Sequence, residues 1–318
     1  MRRGTFSLVS SGKLKWLEGA SLARRRWLLH AFSTRAGGIS RVASGSASAL
    51  NLGFIETDKR TNVEKNRGRF FRALGAEDWP LAGLRQIHSS NIFLVVKSSQ
   101  GGLEYRPSGY YPPRAPDHTP PQGDALLTHE PGVLLSVRSA DCLPVLLADV
   151  RRRAVAAVHA GWRGALAGII EKAVGEMVRI FGSSPSDLVA AIGPSIRACC
   201  YEVGDEVVSA FCGRYPNGEE FFRSAPQDKA ETEIARRHPL LFLSKQPPGH
   251  GPDSTGKKHL DLVAVARYQL RRAGLSPTHI AVADYCTACR TDLFFSHRRE
   301  GSGTGRTMAV IGIEPLDN

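Results

Sequence analysis

A cysteine opens one apolar run and a histidine closes the next in SADCLPVLLADVRRRAVAAVHAGWRG, residues 139–164. The two runs, 144–150 and 154–159, read as strands of an antiparallel hairpin. With Arg151 and Arg152 as a two-residue turn, Val150 faces Arg153, His159 faces Pro144 and Cys142 faces Gly161. Opposed residues share a face of the sheet, and so do alternate residues along one strand. Cys142 and His159 therefore point to the same side on a diagonal, roughly 7–8 Å apart at the backbone, which side chains converging on one metal ion can span. A one-residue bulge would reverse this parity. Each residue also has a plain structural reading: Cys142 as a small buried hydrophobe, His159 as a core imidazole bonded to a carbonyl.

The sequence after His159 adds to the chemistry. In AGWRGALAG, two glycines flank Trp162 and Arg163, and a helix is expected to begin there. Free amides at a helix start beside an arginine make an anion site. A third metal ligand is offered by His88 in RQIHSS, which shares a strand face with Gln86. Two histidines and a cysteine fill three positions of a tetrahedral zinc site and leave the fourth open, as catalytic zinc requires. Without a metal, Cys142 as nucleophile and His159 as its base would describe a cysteine hydrolase acting on an amide. The CxxC of Cys286 and Cys289, with His297 nearby, is half of a structural zinc site, a redox pair or a packed loop. No second CxxC completes it. Cys199 and Cys200 read as packing. The glycines of GSGTG (301–305) lack the strand-before, helix-after context of a dinucleotide loop and read as turn residues.

Elements must hold these residues in place. Strands are expected over 85–96, 132–139, 144–150, 154–159, 188–192, 279–284 and 307–313. An amphipathic helix is expected over 165–181, another begins over 204–211, and a third covers 260–273 with Gly274 as its cap. The Pro- and Gly-rich stretch 98–123 reads as a surface loop, and 246–258 as a second irregular stretch. Strands come in adjacent pairs as well as alternating with helices. That predicts an α+β fold with mixed sheets and packed outer helices, in a single domain.

The 318 residues carry 42 Lys+Arg against 30 Asp+Glu, a net charge of +12, with 42% hydrophobic residues. The arginines are scattered and no helix shows a continuous basic stripe, so the charge points to anionic small ligands rather than nucleic acid. No apolar run reaches membrane-spanning length. Serine, glycine and lysine interrupt the basic N-terminus before a signal-peptide core develops, which reads as a cytoplasmic protein. Six cysteines, none before position 142, fit a reducing compartment better than a disulfide framework.

Several stretches together resemble one family: FSTRAGGIS (32–40), NLG (51–53), QIH (86–88), DALLT (124–128), SADCLPVLL (139–147), AAVHAGWRG (156–164), AIGPSIRACCYEVG (191–204) and CTACRTDLFFSHRREGSGTGR (286–306). They are similar to the laccase-domain family, also described as polyphenol-oxidase-like proteins, peptidoglycan editing factors and multifunctional purine nucleoside phosphorylases. The resemblance implies a metal held by His88, Cys142 and His159. It implies phosphorolysis of adenosine, inosine, guanosine and methylthioadenosine, with adenosine deamination in addition. Zinc is the expected metal. Copper and a polyphenol oxidase activity are also attached to the family, but a mononuclear site lacks the cluster that four-electron oxygen reduction needs. Arg163 with the following helix start is the expected phosphate holder, Arg35 a second candidate, and Gln86 a substrate contact. Asp141 is expected to orient a ligand or carry a proton, or else to be a polar residue at a strand bend. The rival readings are the cysteine amidohydrolase in peptidoglycan precursor editing and a purine-binding protein without turnover.

Overall fold

Valine, leucine and alanine fill the two runs of the hairpin, and every residue of Leu143–Asp149 and of Ala154–Ala160 is buried. The strands pair antiparallel with His159 opposite Pro144 and Ala160 opposite Leu143, and no bulge intervenes. The expected register holds. The turn differs, because the ladder closes at Asp149 and Ala154 and leaves four residues between. Asp149 Oδ1 accepts from the amides of Arg151 and Arg152 at 2.8 Å each, and Arg153 takes φ 52. An aspartate bonding its own turn amides favours this conformation.

This computed structural model describes residues 5–42, 48–109, 120–224 and 257–315. They divide into a larger unit, built from the chain up to Ile196 and from Leu262 onward, and a smaller unit, Arg197–Asp261. The larger unit begins with β1 (Phe6–Ser11), β2 (Leu14–Gly19), α1 (Ala20–Ala23), β3 (Leu28–Ser33), α2 (Arg60–Ala73) and β4 (Leu81–Ala82). It continues through β5 (Ile92–Lys97), β6 (Leu103–Ser108), β7 (Ala125–Thr128), β8 (Leu134–Ser139), β9 (Leu143–Asp149) and β10 (Ala154–Ala160). Next come α3 (Trp162–Leu166), α4 (Ile169–Phe181) and β11 (Leu188–Ile192). The smaller unit contributes β12 (Glu202–Val203), α5 (Asp205–Arg214), β13 (Phe222–Ser224) and β14 (Lys258–Leu260). The larger unit then resumes with α6 (Leu262–Arg272), β15 (Ile280–Val282), α7 (His297–Glu300) and β16 (Thr307–Ile313).

Two mixed sheets form the larger unit, in strand order β1-β2-β3-β16-β8-β4 and β15-β11-β9-β10-β7-β5-β6. Most neighbours are antiparallel, while β4–β8, β5–β7 and β11–β15 are parallel. The sheets pack against each other through Phe32, Val137 and Ile311 on one side and Phe93, Leu146 and Ala157 on the other. Each such side chain stabilises the fold by about 1.5–3 kcal/mol through its burial. The intervening residues Ala31 and Val310 face the other way, onto Phe70 and Phe71 of α2. Strands covered on both faces are apolar throughout, so they lose the in–out alternation of a half-exposed sheet. The architecture is α+β with mixed sheets and outer helices, as expected.

Several elements depart from the sequence reading. The single helix expected over 165–181 is two, because Gly168 adopts φ 77 and ends the first after Leu166. The expected loop 98–123 contains β6, whose Pro107 sits on the sheet edge, where a missing amide costs no ladder bond. Residues 110–119 of that stretch lie outside the described residues. The strand expected over 85–96 begins only at Ile92. The helix expected from 260 starts at Leu262, after β14, and Gly274 follows it at φ 96.

In the smaller unit the sheet order is β12-β14-β13, and Phe211, Tyr215, Phe221 and Phe222 pack against one another, mostly edge to face, at centroid distances of 5.6–6.2 Å. The helix expected from 204 is α5. Most of the irregular stretch expected over 246–258 lies outside the described residues.

Candidate metal centre

Asp124, the residue before β7, is fully buried. Five donors meet it. Its Oδ1 accepts from the His88 amide at 3.1 Å and from His159 Nδ1 at 2.9 Å. Its Oδ2 accepts from the Ser89 amide at 2.6 Å, Ser89 Oγ at 2.7 Å and the Ile87 amide at 3.4 Å. Burial pushes this carboxyl up, but the bonds from His159 and Ser89 outweigh it and hold it below its ordinary range. A carboxylate only accepts, so the bonded hydrogen sits on His159 Nδ1, and Nε2 is the nitrogen that can ligate a metal once its own proton leaves.

The same carboxylate fixes His88. This residue is not on a strand, as the sequence suggested, but on a bend with φ 59, in the left-handed region. The amide bonds of Ile87, His88 and Ser89 to Asp124 over-determine that conformation. His88 Nε2 then lies 3.6 Å from Cys142 Sγ, and its ring meets the His159 ring edge-on at 5.1 Å between centroids. Ligand atoms of His88, Cys142 and His159 all lie within 4.8 Å of one another. Gly161 leaves them room: a Cβ there would stand 2.6 Å from His88 Cδ2 and 3.2 Å from Cys142 Sγ.

Electrostatics suit metal ligation. Burial pushes the Cys142 thiol up, but the His159 charge and hydrogen bonds from both histidines outweigh this and bring it down to about 6. Burial pushes His159 down, but the Cys142 thiolate and the Asp124 bond raise it to about 9. One thiolate and two imidazoles converging within this distance are a donor set that fits zinc.

The remaining sequence candidates take other places. Asp141 adopts φ 98, and both its oxygens are engaged, Oδ1 by Thr287 Oγ1 at 2.6 Å and Oδ2 by the Arg298 amide at 2.7 Å. These bonds clamp the turn ahead of Cys142. The side-chain amide of Gln86 bonds the Arg138 backbone on both sides, at 2.8 and 2.9 Å. Arg35 is buried in an ion pair with Glu300 at 2.8 Å and stacks on Phe295, so its charge is already neutralised. Arg163 is exposed and lies over the Trp162 ring, at the head of a five-residue helix too short to gather a strong dipole. Cys286 is buried beside Ser195 in a strand-like bridge and Cys289 is exposed. All six cysteines lie among the described residues, and no disulfide joins them. Sequence reasoning missed Asp124. Its signal was an acidic residue heading the otherwise apolar run DALLT, which a strand does not need.

A family model described as "Multi-copper polyphenol oxidoreductase laccase" matches residues 29–314. The chain belongs to this laccase-like family of mixed-sheet proteins. It is 34% identical to a protein named purine nucleoside phosphorylase YlmD from Geobacillus stearothermophilus, over 88% of each chain. It is 37% identical to adenosine deaminase RL5 from an unknown prokaryotic organism, over 93% of this chain and 98% of that one. The crystal structure of YlmD from Geobacillus stearothermophilus superposes with a TM-score of 0.75 at 31% identity, covering 98% of this chain and all of the other. These relatives support an enzyme of this family. No helix among the described residues is long and apolar enough to cross a membrane.

Proposed function

We propose that the chain is a zinc-dependent purine nucleoside phosphorylase that also deaminates adenosine, acting at His88, Cys142 and His159. The observation that carries this reading is the buried Asp124, which orients the His159 ring and the His88 backbone onto Cys142. A carboxylate behind a histidine is the recurring outer shell of a metal site. Zinc at this trio would supply a Lewis acid and bring the pKa of a water at the site toward neutrality.

The chain's own residues do the rest. Asp124 keeps a hydrogen on Nδ1 of His159, so Nε2 is the nitrogen that would ligate zinc as its proton is released. The thiol of Cys142, held near 6, is a thiolate at neutral pH. The bare backbone of Gly161 leaves space beside both Cys142 and His88. In phosphorolysis a phosphate oxygen bonds to ribose C1′ as the C1′–N9 bond breaks, and the electron pair leaves with the purine, which takes up a proton. In deamination water adds at C6 of adenine and ammonia leaves.

One test decides most of this. Zinc-loaded protein is incubated with adenosine and phosphate, and adenine, ribose-1-phosphate and inosine are followed by chromatography. Absence of all three sinks the reading. Full turnover by His159→Ala would refute the site even if the activity stands.

The aligned Asp124, His159 and Cys142 also favour a second reading, a metal-independent cysteine hydrolase. Full activity in chelated protein, abolished by alkylation of Cys142, would establish it. About one zinc per chain, lost in His88→Ala, would exclude it.

A further inference from the structure

The NLG stretch, Asn51 to Gly53, takes no part in the metal centre, yet three guanidinium groups gather around it. Arg67 Nε and Nη2 both donate to the Leu52 carbonyl, at 3.0 and 2.8 Å. A Cβ on Gly53 would stand 2.6 Å from Arg306 Cγ and 3.8 Å from Arg138 Cδ. Asn51 Oδ1 accepts from the amides of both Gly53 and Arg306, at 3.1 and 2.9 Å, so the turn is folded around Arg306. Arg138 lies on β8 and Arg306 directly precedes the neighbouring β16, where Met308 pairs with Arg138 and Thr307 with Ser139. Phe54 stacks on Arg67 at 4.5 Å and holds it in place.

Every hydrogen bond of these three guanidinium groups among the described residues ends on a backbone carbonyl: Leu52 for Arg67, Leu84 for Arg138, Thr304 and Gly305 for Arg306. None is in an ion pair among the described residues. The acidic groups that act on them are committed elsewhere, Glu64 to Arg60, and Asp141 to Thr287 and Arg298. Burial and then the charges of Arg138 and Arg60 push Arg67 down to about 10, and burial with Arg306 pushes Arg138 below its ordinary range. Three half-buried like charges with no ion-pair partner among the described residues favour an anion between them. The site lies close to the metal trio: the Cys142 thiolate acts on the Arg306 charge, and β8, which carries Arg138, leads directly into Cys142.

We infer that Arg67, Arg138 and Arg306, gathered around Leu52 and Gly53, bind inorganic phosphate as the co-substrate of the reaction. For the role of that phosphate the inference rests on the phosphorylase reading. The binding itself does not. It moves the phosphate from Arg163 and Arg35 to a cluster whose guanidinium groups are in no ion pair among the described residues.

The test uses zinc-loaded full-length protein and the variants Arg306→Gln, Arg67→Gln and Gly53→Ala. Inorganic phosphate is titrated by calorimetry, and inosine phosphorolysis is measured against both phosphate and inosine. The expected result is a rise of about tenfold or more in the phosphate Kd and KM of Arg306→Gln, with a much smaller change in the inosine KM. Gly53→Ala should move in the same direction by displacing Arg306. Equal effects on both KM values, or folded variants with unchanged phosphate affinity, overturn the site. A variant-free readout backs this up: phenylglyoxal modification mapped by mass spectrometry should show phosphate protecting Arg67, Arg138 and Arg306, and no protection overturns the site. Adenosine 5′-monophosphate is titrated in parallel, and its binding where inorganic phosphate fails also overturns it. If phosphate binds through these arginines but no nucleoside yields ribose-1-phosphate, the site stands and the phosphorylase reading falls. If ribose-1-phosphate forms while the variants keep their phosphate affinity, only the site falls.

Discussion

Replacing Asp124 with asparagine keeps the shape of the side chain and removes one charge, which makes its consequence calculable. The native carboxylate accepts on both oxygens: His88 amide and His159 Nδ1 on one, Ser89 amide and Ser89 Oγ on the other. An asparagine must turn its NH2 toward one of these pairs, so a donor meets a donor at a buried position. If it faces Ser89, a backbone amide is left unsatisfied, at about 1–3 kcal/mol. If it faces His159, the ring relieves the conflict by moving its hydrogen to Nε2, and the lone pair that would bind zinc is lost. Either route also removes the charge that supports His159 as a ligand, and loss of such an outer partner costs about 10–100-fold in metal affinity. The expected outcome for Asp124→Asn is therefore a zinc affinity lowered by that factor, measured by chelator competition near neutral pH, with metal-free stability lowered by about 1–3 kcal/mol in urea. Ser89→Ala is the control, because it removes one donor and leaves the tautomer of His159 alone. An Asp124→Asn protein that loses stability but binds zinc within about twofold of the wild type would refute the reasoning, reducing Asp124 to a scaffold residue.

Other perturbations follow from the same contacts. Gly161→Ala places a Cβ 2.6 Å from His88 Cδ2, so zinc content and turnover should fall while far-ultraviolet circular dichroism is unchanged; retention of full zinc content would contradict the packing. Zinc binding near neutral pH should release close to one proton, from His159, because Cys142 is already ionised; calorimetry in buffers of different ionisation enthalpy reads this, and a value near two or zero would be wrong for this pair. His30 is buried with Nε2 accepting from the Gly19 amide, and burial lowers it from 6.5 to about 4. Its contribution is complete above its unfolded value and is lost as pH falls toward 4, amounting to about 3 kcal/mol, so urea melts across that window should steepen for the wild type relative to His30→Gln, and parallel curves would disprove it. Asp141→Gly should retain more stability than Asp141→Ala, by about 1–2 kcal/mol, because only glycine takes φ 98 without strain; equal stability would remove strain from the account.

The hairpin was legible because two short apolar runs joined by a short basic turn leave few registers, and Pro144 opposite His159 is one of them. The helix was legible too, but not its break, since Gly168 in ALAG is tolerated in helices as well as outside them. β2 and α2 escaped notice because their apolar residues are spaced among charged and polar ones, in LKWLEG and RTNVEKNRGRFFRA. They bury Trp16, Phe70 and Phe71 without a long apolar run to announce them. Of the site, the ligand types were legible and their supports were not. Three donors with the right chemistry can be picked out singly. The carboxylate that orients them, Asp124, comes from between β6 and β7, and only the fold shows where it points.

What the sequence could least reveal is how the backbone is bent to make the site. Among the described residues four non-glycine positions have φ in the left-handed region, and two of them, His88 and Asp141, are a metal-ligand candidate and the residue before one. Such conformations cost of order 1–3 kcal/mol each and persist only where neighbouring bonds enforce them. At His88 the enforcing group is the Asp124 carboxylate, through three consecutive amides. At Asp141 it is that residue's own side chain, tied to Thr287 and the Arg298 amide, with its carbonyl accepting from Ile196. The CTACRTDLFFSHRREG loop therefore acts on the centre without contributing a ligand: it holds the turn that presents Cys142. This accounts for a long, chemistry-rich motif beside a three-residue site. The ligands alone fix what can bind, while the loop and Asp124 fix the backbone that brings Cys142 and His88 within 3.6 Å of each other.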